Sequence, residues 1–240
     1  MQNNTNIQWN TAQKLGEFEL NKIYCMDCLE GLKKILDNSV DFILTDPPFN
    51  VNLTYEENFD DDMDDEEYSE WCYKWISELE RVLKEGKYCI IFSGDKKLYY
   101  LMKAIYKTKF KFHHFFKWYK PTCQRGLSGT VLFYKTELAF ILSKGKPDIS
   151  KINRKLMFSD TFSCENNTSK RNDDCIRFNH PASRPLRLYR YLIKGFNPEK
   201  IVLDCFMGSG TTAVAQICEN YAACRLYRAL IKREYKKRKK

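Results

Sequence analysis

Two rhythms of apolar residues run along this chain. A short stretch near Lys22 to Tyr24 reads as a strand and Leu29 to Leu36 as a helix. Residues 40–45, apolar apart from Asp41 and Thr45, have the continuous character of a strand buried on both faces. Tyr68, Trp71, Cys72, Trp75, Leu79, Val82 and Leu83 then recur at helical spacing, which predicts a helix presenting an aromatic core face. Tyr88 to Phe92 is the next strand, with Ser93-Gly94-Asp95 as its turn. Phe115 to Tyr119 and Leu138 to Leu142 predict two more, the second antiparallel at the sheet edge. Leu186 to Ile193 is a helix, 201–205 a strand, and a further helix comes after it. Strands alternating with helices predict an α/β fold around a mostly parallel sheet.

Between these elements the pattern loosens. Residues 1–18 are polar and read as a flexible arm before one domain spanning 19–240. Asn50 to Glu67 is acidic and poor in apolar residues, which predicts a mobile loop. Two polar and basic stretches, about 120–133 and 149–179, lack periodicity and are the places for small recognition insertions.

Two of the strands end in unusual turns. Asp46-Pro47-Pro48-Phe49 comes directly after strand 40–45, and consecutive prolines cannot continue a ladder because each lacks an N–H and has φ fixed near −65°. The chain must leave the sheet rigidly there, presenting a carboxylate, carbonyls and an aromatic ring. Ile201-Val202-Leu203-Asp204 leads into Phe206-Met207-Gly208-Ser209-Gly210-Thr211-Thr212, a glycine-rich turn that opens a helix. Open α/β sheets bind ligands at the carboxyl ends of their strands, so the two turns predict a reaction pocket beside a cofactor pocket. A phosphate-binding loop competes for the second, but no Lys succeeds its last glycine.

Charge narrows the class of partner. The net charge is +9, although seven acids crowd into Asp60 to Glu67, so the rest of the chain is more basic still. That balance suits a polyanion. No apolar run reaches the length of a membrane span and the start does not read as a signal peptide. Ten irregularly spaced cysteines fit a reduced, cytoplasmic protein. Cys25 and Cys28 have metal-ligand spacing, yet no second pair completes a site, so no metal is expected.

Five segments, in order, resemble the S-adenosylmethionine-dependent DNA amino-methyltransferases: Tyr24 to Leu32, Leu44 to Asn50, Glu80 to Lys87, His180 to Pro185, and Leu203 to Thr212. The order is that of the subgroup whose catalytic motif precedes the glycine motif. The resemblance implies a permuted Rossmann-like methyltransferase fold, with helices on both faces of a twisted sheet and an antiparallel edge strand. It implies methylation of an exocyclic amine in double-stranded DNA, with Asp46, Pro47, Pro48 and Phe49 catalytic and the target base flipped out. The Asp form of the motif leans towards adenine N6, with cytosine N4 as the alternative. Cofactor contacts fall on Asp27, Cys28, Asp46, His180, Ser183, Arg184, Asp204, Phe206, Gly208, Ser209, Gly210, Thr211 and Thr212. Lys120 and Arg125 are candidate DNA ligands. The resemblance leaves room for a homodimer and for a cognate restriction endonuclease.

One departure stands out. The acidic residue that binds the cofactor ribose, expected beyond the glycine turn, falls on Arg225 or, two residues further, on Tyr227. Neither is a carboxylate, so a catalytically impaired DNA-binding relic is a further alternative.

Overall fold

The computed structural model describes residues 14–51, 62–125, 133–156, 158–165, 184–219 and 222–227. A small hairpin, β1 (Lys14–Leu15) and β2 (Phe18–Glu19), precedes β3 (Ile23–Cys25) and helix α1 (Cys28–Lys33). Strand β4 (Val40–Thr45) is buried throughout. Its one charge, Asp41, is tolerated because Lys84 Nζ donates to one carboxylate oxygen (2.6 Å) and the Ile201 backbone N–H to the other (2.8 Å).

Helix α2 (Asp65–Val82) buries the aromatic stripe read from the sequence. It also takes in part of the acidic run, for which the composition predicts loop. Asp64 caps the helix by accepting from the Glu67 N–H (2.8 Å), and Asp65, Glu66 and Glu67 fill its first turn, where the helix dipole favours negative charge. The first two also pair with Lys97 and Lys103 on or beside α3 (Leu98–Tyr106), a helix that the sequence reading does not include.

Between those helices runs β5 (Leu83–Ser93). Beyond them, β6 (Phe110–Arg125) and β7 (Phe133–Lys144) form a long antiparallel pair and β8 (Thr161–Ser163) a short edge strand. Helix α4 (Leu186–Phe196), β9 (Ile201–Asp204), α5 (Thr211–Cys218) and β10 (Ala222–Tyr227) complete the described elements. The eight-stranded order is β3-β10-β9-β4-β5-β7-β6-β8. From β3 to β5 all pairs are parallel, whereas β7 is antiparallel to both neighbours. The strand at 138–142 therefore lies inside the sheet, and the edge is β8, parallel to β6. Helices α1, α2 and α3 cover one face, and α4 with α5 the other.

This topology places the two motif turns side by side. Strands β4 and β9 are hydrogen-bonded neighbours, but β4 continues to β5 on one side and β9 to β10 on the other. The strand order reverses between them, which opens a crevice above their carboxyl ends.

Candidate active site

Asp46 and Asp204 stand at adjacent strand ends, far apart in sequence and in very different surroundings. Arg184, just before α4, grips Asp46 with two donors: Nε to Oδ2 at 2.6 Å and Nη2 to Oδ1 at 3.0 Å. Its other terminal nitrogen, Nη1, donates to Glu137 of β7. Glu137 in turn accepts from Lys120 Nζ of β6 at 2.7 Å. The result is a chain of alternating charges, Asp46–Arg184–Glu137–Lys120. The guanidinium lies 5.5 Å from the ring centres of Phe49, Phe92 and Trp118, and Lys120 Nζ lies 4.4 Å from that of Tyr134.

Burial works against the charge on Arg184, but Asp46 and Glu137 outweigh it and hold the guanidinium protonated well above arginine's ordinary range. Burial likewise opposes ionisation of Glu137, and the two cations win, leaving its carboxyl below the usual value.

Neighbouring groups fix the proline turn. The Tyr68 hydroxyl donates to the Pro48 carbonyl (3.1 Å), while no donor among the described residues meets the carbonyl of Pro47. Phe49 lies against Gly94 in the turn after β5, where an added Cβ would sit 3.0 Å from the ring. Asn50, at φ 54°, exchanges two hydrogen bonds with the Met63 backbone (2.7 and 2.6 Å) and ties the exit of the motif to the approach to α2.

No cation among the described residues pairs with Asp204. Its Oδ2 accepts from the Thr212 hydroxyl (2.5 Å), and its Oδ1 from the Thr45 hydroxyl (2.9 Å) and the Phe206 N–H (3.0 Å). Burial raises its carboxyl to about 6, despite those donors. This aspartate braces the glycine turn from beneath. Gly208 and Gly210 take left-handed φ of 50° and 82°, values that a side chain would resist. A Cβ on Gly210 would meet only the Met207 methyl, at 3.9 Å, so that flank of the turn is open among the described residues. Ser209 and Thr211 share a hydrogen bond (3.0 Å), and Thr211 also donates to the Arg184 carbonyl (3.2 Å), linking the two turns.

The remaining expected site residues divide between the core, the surface and the undescribed segments. Phe206 is buried among Trp71 and Trp75, and Cys28 is wholly buried. Asp27, half-exposed after β3, caps α1 through bonds from Leu29 and Glu30 N–H. Lys120, expected on a DNA-facing surface, is buried with an internal partner, and Arg125 ends β6 opposite Phe133. His180, Ser183, about half of each recognition stretch and the first part of the acidic run lie outside the described residues. In the β10 register Arg225 pairs with Asp204, and Tyr227 with Cys25 of β3. The strand thus ends on Tyr227. Glu137 and Tyr68 join the site, although the sequence points to Tyr68 only as part of a core face and does not single out Glu137. A carboxylate directly before the apolar run Leu138 to Leu142 is the available signal for Glu137.

Residues 40–231 match the DNA methylase family of the N6/N4 type. The chain belongs to that family. It is 29% identical over 212 residues to the type II methyltransferase M.HpaI of Haemophilus parainfluenzae, covering 79% of this chain and 64% of that protein. It is 26% identical to the type II methyltransferase M1.MboII of Moraxella bovis, over 86% of this chain and 92% of the relative. Among solved structures, the cytosine-N4-specific PvuII DNA methyltransferase superposes with a TM-score of 0.65 at 20% identity, covering 86% of this chain and 80% of its own. The M1.HpyAVI–SAM complex superposes at 0.59 with 23% identity, over 86% and 92%. These likenesses establish the Rossmann-like methyltransferase fold. No helix among the described residues is long and apolar enough to cross a membrane.

Proposed function

We propose that this protein transfers a methyl group from S-adenosylmethionine to the N6 amino group of adenine in double-stranded DNA. The observation that carries the reading is the juxtaposition of the Asp46 turn and the glycine turn at the point where the strand order reverses. The turn at Gly208 to Gly210, with its open flank, suits the methionine end of the cofactor. The ribose end fits less well, because β10 offers Arg225 and Tyr227 where a carboxylate is expected. S-adenosylmethionine supplies a methyl group on a sulfonium, ready for in-line displacement.

The residues of the chain prepare the amine. An exocyclic amine is a poor nucleophile while its lone pair is delocalised into the ring. Two acceptors set against its two hydrogens favour a pyramidal nitrogen whose lone pair can attack. The Asp46 carboxylate and the Pro47 carbonyl supply that pair. A carboxylate has about four lone-pair sites, so Asp46 can hold Arg184 and accept from the amine at once. Phe49, seated on Gly94, is the stacking face for a flipped base. Most of the acceleration comes from orientation and fixed charge, with no covalent enzyme intermediate.

The experiment is methyl transfer from labelled S-adenosylmethionine to unmethylated genomic DNA, with the digested nucleosides separated by mass spectrometry. N6-methyladenine is the expected product. N4-methylcytosine would keep the mechanism and change the base. DNA binding without cofactor binding would instead identify a relic, as the residue types on β10 would allow.

A further inference from the structure

We propose that Glu137 is a positioning residue for methyl transfer. It holds Arg184 in its clamp on Asp46 and keeps the charge beside Asp46 balanced. This inference rests on the methyl-transfer function proposed for the site.

The placement comes from the topology. Ser93, the last residue of β5, pairs with Leu138, so β7 carries Glu137 one residue beyond the end of the parallel strands. Its cross-strand partner is Trp118, and β6 bulges between Tyr119 and Gln124, just where Lys120 lies. The antiparallel pair thus delivers a carboxylate and an ammonium to the edge where Asp46 stands. Both side chains are about nine-tenths buried, as is that of Arg184.

The guanidinium cannot be satisfied by Asp46 alone. Nε and Nη2 take the two oxygens of Asp46, and Nη1 points away to Glu137. A rigid planar fork held at both ends cannot rotate. With Glu137 neutral, Arg184 would lose its charged anchor on the β7 side. Lys120 would also lose its carboxylate, adding an uncompensated cation near Asp46. An acceptor in excess positive field binds the amine hydrogens more weakly, so the transfer step suffers while substrate binding does not. A Glu137 that served only packing would show neither selectivity for that step nor dependence on the charge of Lys120.

The test uses the full chain, with S-adenosylmethionine and DNA, in wild type, Glu137→Gln, Lys120→Met and the double variant. Glu137→Gln is expected to lower kcat at least about tenfold, with KM for DNA and for cofactor within about threefold. Adding Lys120→Met should recover at least about threefold, because it removes the stranded cation. A kcat within about twofold of wild type, a loss confined to KM, or a deeper loss in the double variant would overturn the proposal. Exchange of the Arg184 Nε–H, monitored by NMR on arginine-labelled protein, reads positioning without activity. It should be slow in wild type and at least about tenfold faster in Glu137→Gln; equal rates would also overturn the proposal. Should Glu137→Gln fail to fold, Glu137→Asp, one methylene too short to reach Arg184, takes its place in both measurements. A wild type that transfers no methyl group would remove the proposed function, while the exchange comparison still decides the role of Glu137.

Discussion

Asp46 and Asp204 sit at the ends of neighbouring strands, and the same side chain is put to opposite uses. Asp46 is held by a buried guanidinium within an alternating chain of charges. Asp204 is held by two hydroxyls and a backbone N–H, with no cation beside it among the described residues. A carboxylate paired with a cation remains available as an anion at a reaction centre. One buried among neutral donors becomes a brace whose own ionisation is costly. Residue type therefore does not fix the role; the partner delivered by the fold does.

The contrast can be broken at either end. Asp46→Ala should lower methyl transfer by about a hundredfold or more, with cofactor affinity little changed, as read by single-turnover kinetics and equilibrium binding. Asp204→Ala strands Thr45, Thr212 and the Phe206 N–H. It should cost about 3 kcal/mol in denaturant unfolding and weaken cofactor binding as the glycine turn loosens.

The folded value of Asp204, about 6, lies above the ordinary carboxylate range, so the native state binds more protons than the unfolded state between about pH 4 and 6. Its contribution is fully present below about pH 4 and is lost as pH rises through about 6. Asp204→Asn, which keeps the hydrogen-bonding shape without the charge, should therefore gain stability relative to wild type by up to about 3 kcal/mol from about pH 4 to 7. Denaturant titrations of both proteins across that range would show it; a parallel pair of curves would contradict it.

Smaller effects are expected around the proline turn. Gly94→Ala would press on the Phe49 ring and should reduce kcat a few-fold, with cofactor affinity unchanged, in the same kinetic and binding assays. Tyr68→Phe removes one hydrogen bond to the Pro48 carbonyl and should cost about 1 kcal/mol in denaturant unfolding with a slight loss of transfer.

Strands β4 and β9 and their turns were legible because apolar runs, prolines and glycines act locally. That the turns are neighbours is legible from the rule that open α/β sheets bind ligands at their strand ends, whereas the β4–β9 pairing between distant segments that produces it is not. Glu137 was hidden for the same reason, since its meaning lies in Arg184 and Lys120 on other elements. The acidic run illustrates the reverse. Asp64 with Glu67 three residues later is a capping signal, but the surrounding acids made the segment look like loop. Helix α3 lies outside the elements that the sequence predicts, although Leu98, Leu101 and Ile105 keep helical spacing.

The most direct test tracks the methyl group and the cofactor together in Asp46→Ala. Labelled S-adenosylmethionine should bind the variant nearly as tightly as wild type while no label reaches DNA. Transfer surviving the substitution would mean that Asp46 is not the amine acceptor, and the central claim would be wrong.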